Sequence, residues 1–267
     1  MHHSIAYSCA LVTGASAGLG EEFALQLAPR VSQLVLVARR ESLLQDLAAR
    51  IRSQVPQVEV VVVAADLTDL AERERLVVTL AARGLAPDLL VNNAGAGDYG
   101  EFATAEWSRL EAMIRLNVEA LTHLTHALVP GMIRGGGAII NVSSIASLMP
   151  LPDFAVYAAT KSYVTSFSEA LRIELRAHGI AVLAVCPGPV HTEFGAVAKR
   201  GEHGRHMPGH EWFYVPKEQV VAEALSALDR NRVRVYPSLK IAVSAMVLSV
   251  LPLVLLRLAL GLRPRRE

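Results

Sequence analysis

Tyr157 and Lys161, in the segment Y-A-A-T-K, are the residues of this chain whose types and spacing most clearly suggest chemistry. Residues at positions i and i+4 of a helix lie on the same face, so the phenol and the ammonium are expected to be neighbours. A phenol has a pKa of about 10 in water, and a neighbouring cation favours the phenolate and lowers that pKa. The pair is therefore predicted to exchange a proton near neutral pH.

Three glycines, Gly14, Gly18 and Gly20, lie in T-G-A-S-A-G-L-G, directly after the apolar run 8–13. Glycine permits unusual backbone angles and lets the main chain approach a pyrophosphate at the N-terminus of a helix. A tight strand-to-helix turn would also explain the glycines, but their place in a repeating β/α pattern favours a dinucleotide site. The candidate residues of this glycine loop are Gly14, Ser16, Gly18, Leu19 and Gly20.

Two arginines, Arg39 and Arg40, stand where the second apolar run ends, and the first acid, Glu41, comes after them. An NAD site usually has an Asp or Glu near this point for the ribose 2′-hydroxyl, whereas an Arg suits a 2′-phosphate. The sequence therefore predicts NADP(H) as the cofactor, with Arg39 as the main 2′-phosphate partner and Arg40 as support. The alternative is that both arginines are solvated charges at the start of a helix.

The elements that must position these residues are apolar runs that alternate with helical patterns. The runs are continuous, which is typical of parallel strands covered by helices on both faces. We therefore expect an α/β fold with a doubly wound, Rossmann-type, mostly parallel seven-stranded sheet in a single domain, followed by an apolar C-terminal helical tail. Strands are predicted at 8–13, 34–38, 58–63, 88–92, 138–142, 181–185 and 233–236, and helices at 18–29, 41–54, 69–83, 105–134, 155–178 and 217–229.

The order of these motifs resembles the classical short-chain dehydrogenase/reductase family. The spacing G-x-x-x-G-x-G is the family's, N-N-A-G at 92–95 matches the element after its fourth strand, and C-P-G-P-V-H-T at 186–192 matches its P-G-x-V-x-T segment. Ser144, which ends N-V-S-S, precedes Tyr157 at the family's usual separation. The resemblance covers about residues 8–192 and extends loosely to 236.

The resemblance implies a catalytic group of four residues. In the reductive direction, hydride passes from the nicotinamide to a carbonyl carbon, Tyr157 donates its proton to the oxygen, and Ser144 hydrogen-bonds that oxygen. Lys161 lowers the pKa of the tyrosine and holds the nicotinamide ribose. Asn117 holds a water that links the lysine to bulk solvent, although the residue taken alone is better explained as an ordinary polar position on a helix.

The resemblance also implies contacts along the whole cofactor. Asp66 accepts from the adenine amino group, although an N-cap for the helix that starts near Asp69 explains it equally well. The N-N-A-G element passes the ribose, and a polar turn would explain its residue types but not their order. Thr192 lies near the carboxamide. Outside the glycine loop, the implied contacts are Arg39, Arg40, Asp66, Leu67, Asn93, Ala94, Gly95, Tyr157, Lys161, Pro187, Gly188, Val190 and Thr192.

The leading functional interpretation is an NADPH-dependent carbonyl reductase or alcohol dehydrogenase that acts on a hydrophobic small molecule. A second class is a catalytically silent dinucleotide-binding sensor or scaffold, which would have no need of the acid–base pair. A third class is an epimerase or dehydratase of the family's extended branch. The glycine spacing and the absence of a large second domain disfavour that third class.

Composition narrows the possible partners and the compartment. The formal net charge of +1 gives no global field for nucleic acid. Cys9 and Cys186 lie in apolar runs. We therefore expect them to be core residues in a reducing compartment, and not parts of a disulfide framework. The first residues lack the pattern of a secretory signal, so we expect a cytoplasmic protein. We also expect a homo-oligomer, a dimer or a tetramer.

Two segments depart from the β/α pattern. The first, about 193–215, is expected to be the substrate lid of a catalytic domain that spans 1–239. It contains His203, His206 and His210 with Glu202 and Glu211 nearby, but the surrounding glycines and the lack of fixed geometry argue against a metal site, and none is predicted.

The second segment is the tail, 240–267, which has no charged residue from Ile241 to Leu256 and ends in R-P-R-R-E. That uncharged stretch is shorter than a usual membrane span, and a full span would move the terminal arginines across the membrane, against the positive-inside tendency. Two interpretations stay open. The tail either contacts the inner face of a membrane through 241–266, or it caps the substrate cleft or a subunit interface.

Overall fold

The structure is a computed structural model, and it describes residues 7–200 and 211–252 together with Val254 and Leu258. Seven strands form one sheet in the order β3-β2-β1-β4-β5-β6-β7, and every neighbouring pair is parallel. The strands are β1 (Tyr7–Thr13), β2 (Val31–Ala38), β3 (Glu59–Ala64), β4 (Leu89–Asn92), β5 (Gly137–Val142), β6 (Ile180–Val185) and β7 (Arg234–Val235).

The helices in the described part of the chain cover both faces of this sheet. They are α1 (Gly18–Leu27), α2 (Glu41–Gln54), α3 (Leu70–Ala82), α4 (Trp107–Ile114), α5 (Leu121–Met132), α6 (Ala155–Leu175), α7 (Glu193–Ala198), α8 (Lys217–Asp229) and α9 (Leu239–Val250). One core cluster packs α1, α2 and α8 against the sheet, and the other packs α3, α5 and α6. The predicted doubly wound α/β fold is therefore confirmed.

The strand order reverses between β1 and β4, which places a crevice at the carboxyl ends of these strands. In open α/β sheets, ligands bind at such a reversal point. The glycine loop after β1 and the N-N-A-G element after β4 both open into this crevice.

The long helix predicted at 105–134 is not continuous. It is divided by one turn of π-helix, Arg115–Ala120, between α4 and α5. A π-helical turn carries one extra residue, so it rotates the side chains on either side relative to an α-helix, and such turns are frequent at functional sites. Asn117, one of the predicted catalytic residues, lies in this turn.

The first turn of the tail belongs to the body of the protein. Ile241 and Ala245, one helical turn apart on α9, are fully buried, and Ile241 joins the core cluster that contains α1 and α8. The other face of α9 leaves apolar side chains in solvent: Leu239, Val243, Met246, Val247 and Val250. Within the described residues, no helix has the length and apolar character needed to cross a membrane.

Candidate active site

The glycine loop has the backbone geometry that its sequence predicts. Gly14 and Gly18 have φ angles of +66° and +59°, which favour glycine. A Cβ atom on Gly20 would lie 2.1 Å from the carbonyl oxygen of Gly14, so that close approach also requires glycine. The residue before α1, Ala17, offers no side chain to cap the helix. The first N–H groups of α1 therefore face the crevice without a capping side chain, as a phosphate site requires.

Thr13, at the end of β1, ties the N-N-A-G element to the glycine loop. Its Oγ1 accepts hydrogen bonds of 3.0 Å from the N–H groups of both Asn93 and Ala94, and it donates one to the carbonyl of Val91. Asn93 Nδ2 in turn donates to the Thr13 carbonyl at 3.0 Å. The two elements are thus held as one unit. This role of Thr13 is not evident from its sequence position, although the residue opens the glycine motif.

The two arginines after β2 differ in how strongly their guanidinium groups are paired with other side chains. Arg40 pairs with Glu193 at 2.8 Å, and its guanidinium lies 3.3 Å and 3.4 Å from Ser16 Oγ in the glycine loop. The side chain of Arg39 is 71% exposed, and its ion pair with Asp66 is long, at 3.9 Å. Arg39 is therefore the freer of the two cations at the edge of the crevice.

Asp66 does not cap α3. Its Oδ1 accepts from the N–H and the hydroxyl of Thr68 at 2.9 Å and 2.8 Å, which closes a local turn. The cap of α3 is Asp69, whose Oδ1 accepts from the N–H of Ala71 at 2.8 Å. The neighbouring Leu67 is buried in the core. The alternative interpretation of Asp66 as the helix cap is therefore wrong.

Ser144, Tyr157 and Lys161 meet where β5 ends against α6. Tyr157 and Lys161 are both buried, and a side-chain hydrogen bond joins Ser144 to the phenol. The Nζ of Lys161 lies 5.7 Å from the centre of the tyrosine ring and donates a hydrogen bond of 2.8 Å to the carbonyl of Val142. Ser143 also binds α6, because its hydroxyl donates to the Lys161 carbonyl. The structure therefore brings together these three side chains, which the sequence predicts to be catalytic.

The electrostatics of this group differ from the prediction. Burial raises the pKa of Tyr157 to about 12, even though the hydrogen bond with Ser144 lowers it. Burial also lowers the pKa of Lys161 to about 8. The prediction that the lysine brings the phenol close to neutral pH is therefore wrong for the protein alone. Desolvation is the largest cause of both shifts, and the lysine is the member of the pair whose pKa lies nearer to neutral.

Asn117 is buried, and both the oxygen and the nitrogen of its side-chain amide form hydrogen bonds. Oδ1 accepts from the N–H of Ala96 at 2.9 Å, while Nδ2 donates to the Ala96 carbonyl and to Thr160 Oγ1. A Cβ atom on Gly95 would lie 3.3 Å from this Oδ1 and 3.4 Å from Lys161 Nζ, so these groups converge around the glycine. The side chain thus fixes the loop after β4.

The segment after β6 lines the same crevice. The carbonyl of Pro187 accepts from the N–H of Ile145 at 2.9 Å. A Cβ atom on Gly188 would lie 2.4 Å from Ile241 of α9, so the tail helix packs directly on this segment. Val190 packs against the core. Thr192 caps α7 and reaches across to the glycine loop, where a Cβ on Gly18 would lie 3.1 Å from its methyl carbon.

Two aromatic side chains contact Tyr157 but were not predicted from the sequence to be part of the site. Phe154 stacks on Tyr157 with ring centres 4.3 Å apart, and Phe194 of α7 lies 5.5 Å from the same ring. Phe154 ends the apolar stretch 145–154 that resembles a pocket wall, but nothing in that stretch distinguishes it from its neighbours. Phe194 lies in the predicted lid, just after the P-G-x-V-x-T segment ends at Thr192, so no motif points to it.

In the described ranges, no group of three His, Cys, Asp or Glu side chains is placed to hold a metal ion. The histidines at 203, 206 and 210 and the glutamate at 202 lie outside the described residues. Glu211 is described, and it contacts His191 at 3.2 Å.

Solved structures similar to this chain extend over almost its whole length. A short-chain dehydrogenase from Sphingobium yanoikuyae in complex with NADPH is 33% identical, with a TM-score of 0.80, and the match covers 97% of this chain and 98% of that one. The bulky-bulky ketone specific alcohol dehydrogenase from Comamonas testosteroni is 29% identical, with a TM-score of 0.76 and coverage of 97% and 96%.

Curated relatives match most of the chain. The very-long-chain 3-oxoacyl-CoA reductase of Macaca fascicularis is 33% identical over 195 residues, which is 71% of this chain and 62% of that protein. The match thus spans less than two thirds of that relative. The family model described as short chain dehydrogenase matches residues 8–203, which include every candidate catalytic residue. The chain therefore has a Rossmann-type fold and belongs to the short-chain dehydrogenase family of oxidoreductases.

Proposed function

We propose that this protein is an NADPH-dependent oxidoreductase that interconverts a hydrophobic ketone and its secondary alcohol. The observation that carries the proposal is the buried phenol of Tyr157, hydrogen-bonded to Ser144 and one helical turn from Lys161. A buried phenol, hydroxyl and ammonium around one point can bind a carbonyl oxygen and exchange a proton with it. When NADPH is bound, it supplies the hydride.

The residues of the crevice fit an NADP(H) molecule. The N-terminus of α1, without a side-chain cap, suits the pyrophosphate, and Arg39, largely free in solvent, suits the 2′-phosphate with Arg40 in support. Asp66 and Leu67 would contact the adenine. The remaining proposed contacts are Asn93, Ala94, Gly95 and Lys161 for the riboses, and Pro187, Gly188, Val190 and Thr192 for the nicotinamide.

In the reductive direction, Tyr157 donates its hydroxyl proton to the carbonyl oxygen. Its raised pKa of about 12 keeps the phenol protonated at neutral pH, which is the form that a general acid requires. Ser144 hydrogen-bonds the same oxygen and orients it. The ammonium of Lys161 stabilises the phenolate that remains after proton transfer. Asn117 holds the Ala96 backbone and so keeps the loop after β4 in place around Lys161.

The substrate class rests on the lining of the site and on the relatives. Tyr157 lies in an apolar cluster with Tyr99, Phe154 and Ala198, and Phe194 packs against that cluster. One similar structure is named as specific for bulky-bulky ketones, and one curated relative is named for a very-long-chain 3-oxoacyl-CoA. Both names describe a carbonyl flanked by large groups. We therefore propose a ketone with at least one large apolar substituent.

A non-catalytic sensor or scaffold is the competing class. Such a protein would need the cofactor residues but would gain nothing from burying Tyr157 and Lys161, which costs desolvation free energy. A screen that follows NADPH oxidation with graded ketones, acyl derivatives and steroids separates the two classes. The proposal expects turnover with the more apolar ketones. NADPH binding without turnover of any substrate would favour the sensor.

For the tail, we propose a contact with the surface of an anionic membrane, on the inner face. The exposed apolar side chains of α9 recur at helical spacing, and Leu239 and Val250 are 80% and 76% exposed. Lys240 at the start of α9 and three arginines near the chain end add positive charge. Interfacial helices combine these two features. We also propose that the chain divides into a catalytic domain at 1–239, with a lid at about 193–215, and a tail at 240–267. We further propose that the protein is a homo-oligomer.

A further inference from the structure

Two aromatic rings, Phe154 and Phe194, pack against the ring of the catalytic tyrosine, and a third, Tyr99, packs against Phe154. Phe154 stacks on Tyr157 at 4.3 Å with an interplanar angle of 24°, and Tyr99 meets Phe154 edge-on at 5.5 Å. Phe194 lies 5.5 Å from the Tyr157 ring at an angle of 50°. Tyr157 is 8% exposed. Phe154 and Tyr99 belong to the body of the protein, whereas Phe194 comes from the first turn of α7.

Phe194 has no free space behind it. A Cβ atom on Gly97 would lie 2.7 Å from Phe194 Cζ, and 3.2 Å from both Phe154 Cζ and Ala198 Cβ. Real Cβ contacts are almost never as short as the first of these distances. A glycine is therefore required at position 97 for the Phe194 ring to occupy this position. The ring also cannot move toward Gly97 when a substrate binds.

The helix that carries Phe194 is attached at both ends. At its start, Thr192 contacts the glycine loop beside Gly18. Just beyond its end, Arg200 Nε donates to both carboxylate oxygens of Asp98, at 3.1 Å and 3.0 Å. The Asp98 side chain is 1% exposed and also pairs with Arg109 at 3.0 Å. A buried carboxylate bound by two guanidinium groups fixes the helix firmly, so the position of Phe194 is set by the fold.

We propose that Phe194 is the specificity-determining residue of this site, and that it limits the size of the group beside the substrate carbonyl. The inference rests on the proposed function, because it presumes that a carbonyl oxygen binds Tyr157 and Ser144. A ketone placed there has two substituents, and one of them must lie against the ring that covers Tyr157. Since the ring cannot move toward Gly97, a large substituent fits only at the expense of displacing Phe194 and its helix.

The test compares a small and a bulky ketone, 2-butanone and benzophenone, with the full-length protein and NADPH. We expect Phe194→Ala to raise the ratio of kcat/KM for the bulky ketone over the small one by about tenfold or more, since pocket contacts of this size discriminate by such factors. Phe194→Leu should give an intermediate ratio. The matched control is Val197→Ala, on the same helix but 63% exposed, which should keep the wild-type ratio.

Gly97→Ala provides a second variant that does not remove the ring. Its added methyl should push Phe194 toward Tyr157 and lower kcat/KM for benzophenone, and this penalty should shrink when Phe194→Ala is present in the same chain. An unchanged ratio in Phe194→Ala, equal losses for both ketones, or additive effects of the two substitutions would overturn the inference. If the wild type binds NADPH but oxidises it with none of the ketones tested, the proposed function itself fails.

Discussion

The ammonium of Lys161 donates a hydrogen bond of 2.8 Å to the carbonyl of Val142, the last residue of β5. This bond holds the lysine at the end of the strand, beside Gly95 and 5.7 Å from the centre of the Tyr157 ring. This position supports the two roles proposed for the lysine, because a ribose hydroxyl and a phenolate could both lie within its reach. Its own pKa, lowered to about 8 by burial, makes its charge dependent on pH in the physiological range.

The affinity of the free protein for NADPH is predicted to fall as the pH rises from 7 to 9. The ammonium form of Lys161 is the better partner for the ribose and the anionic cofactor; it predominates below a pKa of about 8 and is lost above it. Fluorescence titration of NADPH across this range measures the effect. Lys161→Met should bind more weakly at pH 7 and show a flatter dependence on pH. An identical pH dependence in the two proteins would contradict this role.

Arg39→Asp should weaken NADPH binding and improve NADH relative to it. A charge-assisted contact with the 2′-phosphate contributes about 1.5–3 kcal/mol, so its loss should lower NADPH affinity about tenfold or more. The matched variant is Arg40→Asp, for which we expect a smaller loss because Arg40 is already paired with Glu193. Titrations with both cofactors check the order. A wild type that already prefers NADH, and does not respond to Arg39→Asp, would rule out the 2′-phosphate role.

Asn117→Ala should lower the free energy of unfolding by about 1–3 kcal/mol, because it leaves both backbone groups of Ala96 without their partner. Urea denaturation followed by circular dichroism measures the change. The control is Arg115→Gln, exposed in the same π-helical turn, which should cost less than about 1 kcal/mol since its ion pair lies at the surface. An Asn117→Ala protein of normal stability would show that the side chain does not anchor the loop.

The tail is best tested without disturbing its buried turn. Removing 241–267 would take away Ile241 and Ala245, which are fully buried, so the informative truncation removes 252–267 and keeps α9. With anionic vesicles in low salt, the full-length protein should pellet and the truncated protein should pellet less. Added salt should weaken the binding, because part of it is electrostatic.

Met246→Lys with Val250→Lys tests the exposed face of α9 in the full chain, and we expect it to reduce pelleting. Ile173→Lys, an equally exposed apolar position on α6, serves as the control and should have no effect. Failure of the full-length protein to bind anionic vesicles in low salt would exclude the membrane proposal. A change of oligomeric state in the α9 variant would instead assign this face to a second copy of the chain.

The sequence predicted the parallel sheet and the motifs that meet at its crevice, because continuous apolar runs and a fixed order of motifs carry that information. It did not predict the π-helical turn at Asn117, since that turn is a local change of backbone hydrogen bonding in a segment that is helical on both sides. It also gave the wrong direction for the Tyr157 pKa, which depends on burial that only the packed structure defines. Phe194 was missed because its role comes from where α7 is anchored, and the buried Asp98–Arg200 pair joins residues far apart in sequence.

The most direct test of the central claim is the turnover of Tyr157→Phe with an apolar ketone. The substitution removes only the hydroxyl that donates the proton and keeps the ring that stacks on Phe154. We expect kcat to fall by about 10²–10⁴, the usual contribution of a general acid, while the Kd for NADPH stays close to that of the wild type. A Tyr157→Phe protein that retains a near-normal kcat would contradict the assignment of Tyr157 as the proton donor.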